Sequence, residues 1–193
     1  MSTKSDLPIM PFASREAWEA WLEEEHATSE GLWLKIAKKS SGVESVTFVE
    51  ALDAALCYGW IDSQRNGLDG RFYLQRFTPR KPRGKWSQVN REKVARLIEA
   101  GRMRPAGLRE VEGAMADGRW DAAYEPQSAA RVPDDLRLEL ERDEGAREFF
   151  ETLNSTNRYA ILHRIQDARK PETRARRIAK YVAMLAEGKK PYP

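Results

Sequence analysis

CYGWIDSQRNGLDGRFYLQRFTPRKPRGKWSQVN, residues 57–90, holds the signals from which the fold can be read. Two runs suited to strands, WIDSQRN at 60–66 and RFYLQRFT at 71–78, flank the turn Gly67-Leu68-Asp69-Gly70. Glycine supplies the positive φ, and aspartate the local side-chain hydrogen bonds, that a tight connection needs. The stretch therefore predicts an antiparallel hairpin. Beyond it, TPRKPRGK cannot continue a central strand, because Pro79 and Pro82 have no N–H to give to a ladder. It predicts a basic loop that leads into a helix capped by Ser87 and carrying Val94, Leu97 and Ile98 on one face.

Upstream, Gly59 closes a helix that Thr47 and Glu50 open as a T-x-x-E capping box, with Val49, Leu52, Ala55 and Leu56 at helical spacing. Before that, LWLKIAKK at 32–39 predicts a strand, and Ser14 caps a helix to about His26 with Trp18, Trp21 and Leu22 on one side. LPIMPF at 7–12 reads as an extended opening. These elements predict an α+β fold: a small antiparallel sheet of about three strands, packed with helices because a lone hairpin must bury its apolar side. Pro105 opens a further helix that ends near Gly118, and Trp120 and Tyr124 pin the irregular segment after it.

From Pro133 onward every signal is helical. Pro133 suits a first helical position, Asp143 caps AREFFETL, YAILHRIQDA follows Ser155 and Asn157, and Pro171 opens a helix ended by Gly188. Phe149, Phe150, Leu153, Tyr159, Leu162, Ile165, Ile178, Val182 and Leu185 predict a shared core. The boundary is expected within 124–132, dividing an α+β region at 1–125 from a helical region at 126–193, the two packed as one compact unit.

With 41% hydrophobic and 33% charged residues among 193, and no apolar run near the roughly 18 residues of a membrane span, no crossing is expected. The first residues show no apolar signal core, so the expected compartment is the cytoplasm. The single cysteine, Cys57, cannot form an internal disulfide, and its setting in AALCYGW predicts a packing role. The net charge of +3 is unevenly placed: residues 71–104 hold eleven Lys or Arg against Glu92 and Glu99. Arg158 to Lys190 is also basic, whereas Glu16 to Glu30 and Asp134 to Glu151 are acidic. Such blocks pair with one another or offer a basic face to an anionic partner.

The candidate ligand-binding residues are Trp60, Asp62, Arg76, Arg80, Arg83, Trp86, Ser87 and Asn90. A hairpin closed at GLDG brings Asp62 and Arg76 from facing strands near its open end, as a structural ion pair or as a shared polar pocket. Arginine forks suit carboxylate or phosphate, with Asp62 orienting a donor. Ser87 as N-cap and Trp86 as a hydrophobic staple account for WSQVN structurally, and the helix start after a basic loop is its functional reading. Arg174, Arg177 and Tyr181 share one helical side, either paired internally or contacting phosphates. No catalytic residue, metal or cofactor is assigned. His26 and His163 fall in no H-E-x-x-H spacing, adjacent Glu23 to Glu25 point in different directions, and neither a G-x-S-x-G elbow nor a G-x-x-x-x-G-K loop is present.

The motifs ALCYGWIDS, RFTPRK, KWSQVN, GRMRPAGLREVEGAMADGRW and AILHRIQDARKPETRARRI together resemble the YdeI/OmpD-associated family, the bacteriocin-protection proteins, over nearly the whole chain. The resemblance implies resistance to bacteriocins or cationic antimicrobial peptides and a link to an outer-membrane porin. It carries over no catalytic residues. The expected function is that of a non-enzymatic stress protein binding an anionic ligand or protein partner near the hairpin and basic loop. Two other classes stay open. One is nucleic-acid binding through Arg80, Lys81, Arg83, Lys85 and the C-terminal arginines, with Tyr73, Trp60 or Trp86 stacking on bases. The other is an enzyme with Asp62 as acid or base in an aromatic pocket.

Overall fold

The computed structural model describes residues 7–126, 131–168 and 170–193, and the chain divides into two units, Met1–Ala123 and Tyr124–Pro193. Residues 127–130 of the expected boundary segment lie outside the described residues.

In the first unit the order is β1 (Ile9–Pro11), α1 (Arg15–Glu25), β2 (Leu32–Ala37), α2 (Phe48–Cys57), β3 (Trp60–Gly67), β4 (Phe72–Pro79), α3 (Gln88–Glu99) and α4 (Pro105–Ala116). The hairpin forms, with β3 and β4 pairing antiparallel from Trp60↔Pro79 to Gly67↔Tyr73, although neither Gly67 nor Gly70 takes the positive φ expected of the turn. Asp69 Oδ1 accepts the amides of Arg71 at 2.7 Å and Phe72 at 2.8 Å across the turn. On its other side β4 takes β2 antiparallel, Leu32↔Phe77 through Ala37↔Phe72. The sheet then exceeds the three antiparallel strands expected. The extended opening pairs parallel to β2 at Ile9↔Trp33, giving a four-stranded mixed sheet in the order β1-β2-β4-β3. Three residues ending in Pro11 show no alternation to read, and proline is tolerated on a sheet edge where its missing N–H leaves no ladder bond unmade.

One face of this sheet carries Leu32, Leu34 and Ile36 opposite Phe77, Gln75 and Tyr73, and all six are buried. Trp18 and Leu22 of α1 and the small residues Ala51, Ala54 and Ala55 of α2 share its core. The capping box that starts α2 is present, with Glu50 N–H donating to Thr47 Oγ1 and Thr47 N–H donating to Glu50 Oε2. Val49 differs from expectation. In the first turn of α2 it is 59% exposed, whereas Leu52, Ala55 and Leu56 are buried as their spacing predicts, joined by Ala51 and Ala54.

A β-bulge interrupts β3 between Asp62 and Arg65, while β4 runs regularly against β2. The side chain of Gln75, 3% exposed, fills the gap: its Nε2 donates to Ser63 O at 3.4 Å and Gln64 O at 3.2 Å. Those carbonyls lack ladder partners at a bulge, so a buried amide there offsets the loss.

In the second unit α5 (Asp134–Glu141), α6 (Glu144–Thr152), α7 (Ser155–Gln166) and α8 (Pro171–Ala186) follow in sequence. Asp143 caps α6 and Asn154 caps α7, while Pro133 is the residue just before the first helical position rather than at it. The core includes Leu136, Leu140, Phe150, Ile161, Leu162, Ile165, Ile178, Tyr181 and Leu185, with Phe149, Leu153 and Val182 packed partly buried against it. Tyr181 is thus interior. Arg174 grips Asp135 with Nη2 at 2.9 Å from Oδ1, and Arg177 donates to Arg164 O, so these arginines are held internally. No helix among the described residues is long and apolar enough to cross a membrane.

Gly107 marks a close approach of α4 to α2, because a Cβ there would collide with the carbonyl oxygens of Cys57 and Leu56 at the end of α2. Gly107→Ala is expected to cost about 1–3 kcal/mol in urea unfolding. Gly113→Ala in the same helix meets nothing nearer than an Arg119 side-chain nitrogen at 3.9 Å and is expected to be neutral or slightly stabilising.

Candidate functional site

Arg80 leaves the open end of the hairpin with its N–H donating to Gly59 O at 2.9 Å, which fixes where its side chain starts. The guanidinium lies 3.6 Å from the centroid of the Trp86 ring, and Nη1 donates to Lys85 O at 3.4 Å. Trp86, 2% exposed, meets Trp120 edge-on at 4.9 Å, and Arg91 sits 5.1 Å from the Trp120 centroid. Arg119 ties the loop down by donating to Gly84 O at 3.0 Å while its Nε meets Asp117 at 2.7 Å. A weakly hydrated planar cation can be 8% exposed in this way because the indole face takes over part of its solvation.

Beside Arg80 lies a cleft of about 190 Å³ lined by His26, Tyr58, Gly59, Trp60, Pro79, Arg109 and Glu110. Four elements converge on it. Trp60 donates its indole N–H to His26 O at 3.1 Å, tying the end of α1 to β3. His26 Nδ1 donates to Leu22 O at 2.7 Å, and Tyr58 Oη donates to Glu23 Oε2 at 2.6 Å. Gly59 turns the chain at φ +76, where a side chain would press on Ala106 O and Glu110 of α4.

The predicted residues therefore separate. Trp60, 1% exposed, and Arg80 line the cleft, and Trp86 props Arg80 rather than stapling a helix. Asp62 pairs with Phe77 and so shares the helix-covered face. Burial pushes its carboxyl above the ordinary aspartate range, and the Arg80 charge pulls it partly back. Arg76 lies opposite Trp33 and, one residue from Phe77, points to the other face of the sheet. Asp62 and Arg76, expected as partners, thus lie on opposite faces of the sheet. Ser87 Oγ accepts the Asn90 backbone N–H at 3.2 Å as an N-cap, which accounts for Ser87. Arg83 is exposed on the loop. His26, Tyr58, Arg109 and Glu110 went unread as site residues, because they reach the cleft from three separated stretches and carry no shared spacing. Among the described residues no group of three or more His, Cys, Asp or Glu is placed to hold a metal ion.

Cys57 is 3% exposed, and burial pushes its thiol up to about 11. Near pH 8 only roughly a thousandth is thiolate, so Ellman's reagent is expected to leave the native chain unlabelled and to titrate one thiol after unfolding. Fast labelling of the native protein would contradict that burial. For Asp62, a folded pKa above the unfolded one means that its carboxyl favours folding at low pH and opposes it once ionised. Asp62→Asn is expected to raise Tm near about pH 7, with the gain shrinking toward about pH 4. A difference independent of pH would contradict the assignment.

Residues 10–110 match a domain of unknown function, DUF8412, and this span holds the sheet from Met10 onward, the basic loop and every residue of the cleft. Residues 129–188 match the family described as bacteriocin-protection, YdeI or OmpD-associated, which covers the four helices of the second unit to Ala186. ALCYGWIDS, RFTPRK and KWSQVN thus fall in the first match and AILHRIQDARKPETRARRI in the second. No curated protein and no solved structure matches the chain. The chain belongs to the DUF8412 family, whose model spans just over half of it, and its residues 129–188 carry a match to the bacteriocin-protection, YdeI or OmpD-associated model.

Proposed function

We propose that the protein is a non-enzymatic, cytoplasmic factor in resistance to bacteriocins or cationic antimicrobial peptides, and that it works by binding an anionic ligand or partner group in the Arg80 cleft. The observation that carries this reading is the buried guanidinium of Arg80, stacked 3.6 Å from the Trp86 ring beside a cleft that Arg109 also lines. Held cations with little freedom to lose suit recognition of a carboxylate or phosphate. The sign of the charge also restricts the mechanism. A cationic cleft repels a cationic peptide, so protection on this reading runs through an anionic group of the cell rather than through capture of the peptide.

Binding is favoured over catalysis because the Cys57 thiol is buried and stays protonated. Anion binding is favoured over base stacking because Trp60, Trp86 and Tyr73 are 1%, 2% and 8% exposed and offer little ring surface to a nucleotide.

A deletion strain challenged with a panel of bacteriocins and cationic peptides is expected to lose survival. Wild type is expected to restore it, and the charge reversal Arg109→Glu, at an exposed position, is not. Full rescue by Arg109→Glu, or no sensitivity in the deletion strain, would count against the proposal.

A further inference from the structure

At the turn end of the hairpin, away from Arg80, a second cleft of about 510 Å³ opens between the end of β2, the 38–47 connection and the start of α2. Its floor is apolar: Ile36 and Tyr73 pair across β2 and β4 and are 2% and 8% exposed, and Val43 and Phe48 form its walls. Its rim carries Lys38, Lys39 and Arg65. Lys38 Nζ is committed to Asp69 O at 2.7 Å. Asp69 caps the hairpin turn, Glu50 caps α2 and Glu44 lies exposed on the 38–47 connection, so these carboxylates stand outside the lining, whose charged residues are the three cations.

Arg65 reaches this cleft only because of the bulge. With Asp62 opposite Phe77, an unbroken ladder would set Gln64 opposite Gln75 and Arg65 opposite Leu74, on the face away from α2. The extra residue sets Arg65 opposite Gln75 instead, on the face of Tyr73 and Ile36, and its guanidinium lies 3.8 Å from the Tyr73 centroid. Buried Gln75 stabilises that displacement by donating to Ser63 O and Gln64 O. Tyr73 lines the cleft with Arg65 over its ring, which sets its hydroxyl, a donor, beside the arginine fork.

We propose that this cleft binds a small amphipathic carboxylate, its aryl or medium-chain alkyl body against Ile36, Val43 and Phe48 and its carboxylate on Arg65 and the Tyr73 hydroxyl. The volume lies within the range of small-molecule sites, and a mostly apolar lining with a few convergent polar groups is their usual composition. A planar fork stacked on a ring is preorganised for bidentate contact with a carboxylate. This site is independent of the Arg80 cleft and of the function assigned to it.

Isothermal titration of the full chain with octanoate and with phenylpropionate, each beside its neutral amide, tests the proposal. Octanoate binding the tighter identifies an alkyl body, and phenylpropionate the tighter an aryl one. In either case the matching amide is expected to bind at least about tenfold more weakly, and Arg65→Ala to lose at least about tenfold, with Arg65→Lys retaining part. Arg65 is exposed, so its removal leaves the core intact. Val43→Glu, which sets a like charge in the wall, is expected to abolish binding while Tm is unchanged for both variants. Equal binding of amide and carboxylate, undiminished binding by Arg65→Ala or Val43→Glu, or no binding of either carboxylate at millimolar concentration would overturn it.

Discussion

The first unit depends on the burial of Trp18. Its indole is fully excluded from solvent, donates to Ala51 O at 3.1 Å, and meets the rings of Phe12, Trp21, Trp60 and Phe77. One side chain thereby joins α1 to α2, to both hairpin strands and to the segment after β1. A buried aromatic of this size is worth roughly 3–5 kcal/mol on truncation, a large share of the marginal stability of a small domain. Because the Trp18 nitrogen is satisfied within the core, the cluster fixes orientation as well as burying area.

Around that anchor the hairpin divides its chemistry between its two ends. At the open end, Trp60 and Pro79 hand the chain to Gly59 and Arg80, and the cation is folded back onto Trp86. At the turn end, the bulge changes which face Arg65 occupies and lays it on Tyr73. Both arginines are held by an aromatic face, and neither position follows from strand alternation alone. The register of β4 against β2 stays regular throughout, so the irregularity is confined to the strand on the sheet edge, where it disturbs one ladder instead of two.

The second unit resolves its own charge blocks. The acidic start of α5 meets the basic start of α8 through Asp135 and Arg174, which holds the aspartate carboxyl below its ordinary range, and Tyr181 turns inward with Ile178 and Leu185. Arg174 and Arg177 of the basic C-terminal run are therefore part of the helical core's support, and the cations of the Arg80 cleft come from the first unit.

The sequence by itself determined the features whose causes are local: the GLDG hairpin, the Thr47–Glu50 capping box, the Ser14, Ser87 and Asp143 caps, the helices opened by Pro105 and Pro171, and a cysteine set in an apolar run. Capping and turn bonds span three or four residues, so their signals are contained in short stretches. Only the tertiary structure decided that the opening segment adds a parallel edge strand, that Asp62 and Arg76 face opposite sides of the sheet, and that His26, Tyr58, Arg109 and Glu110 meet around one cleft. Those outcomes rest on register, on the parity of side chains across a bulge, and on which helix the close approach at Gly107 brings against α2. Each is set by a partner far along the chain, and a one-residue shift in pairing reverses every face.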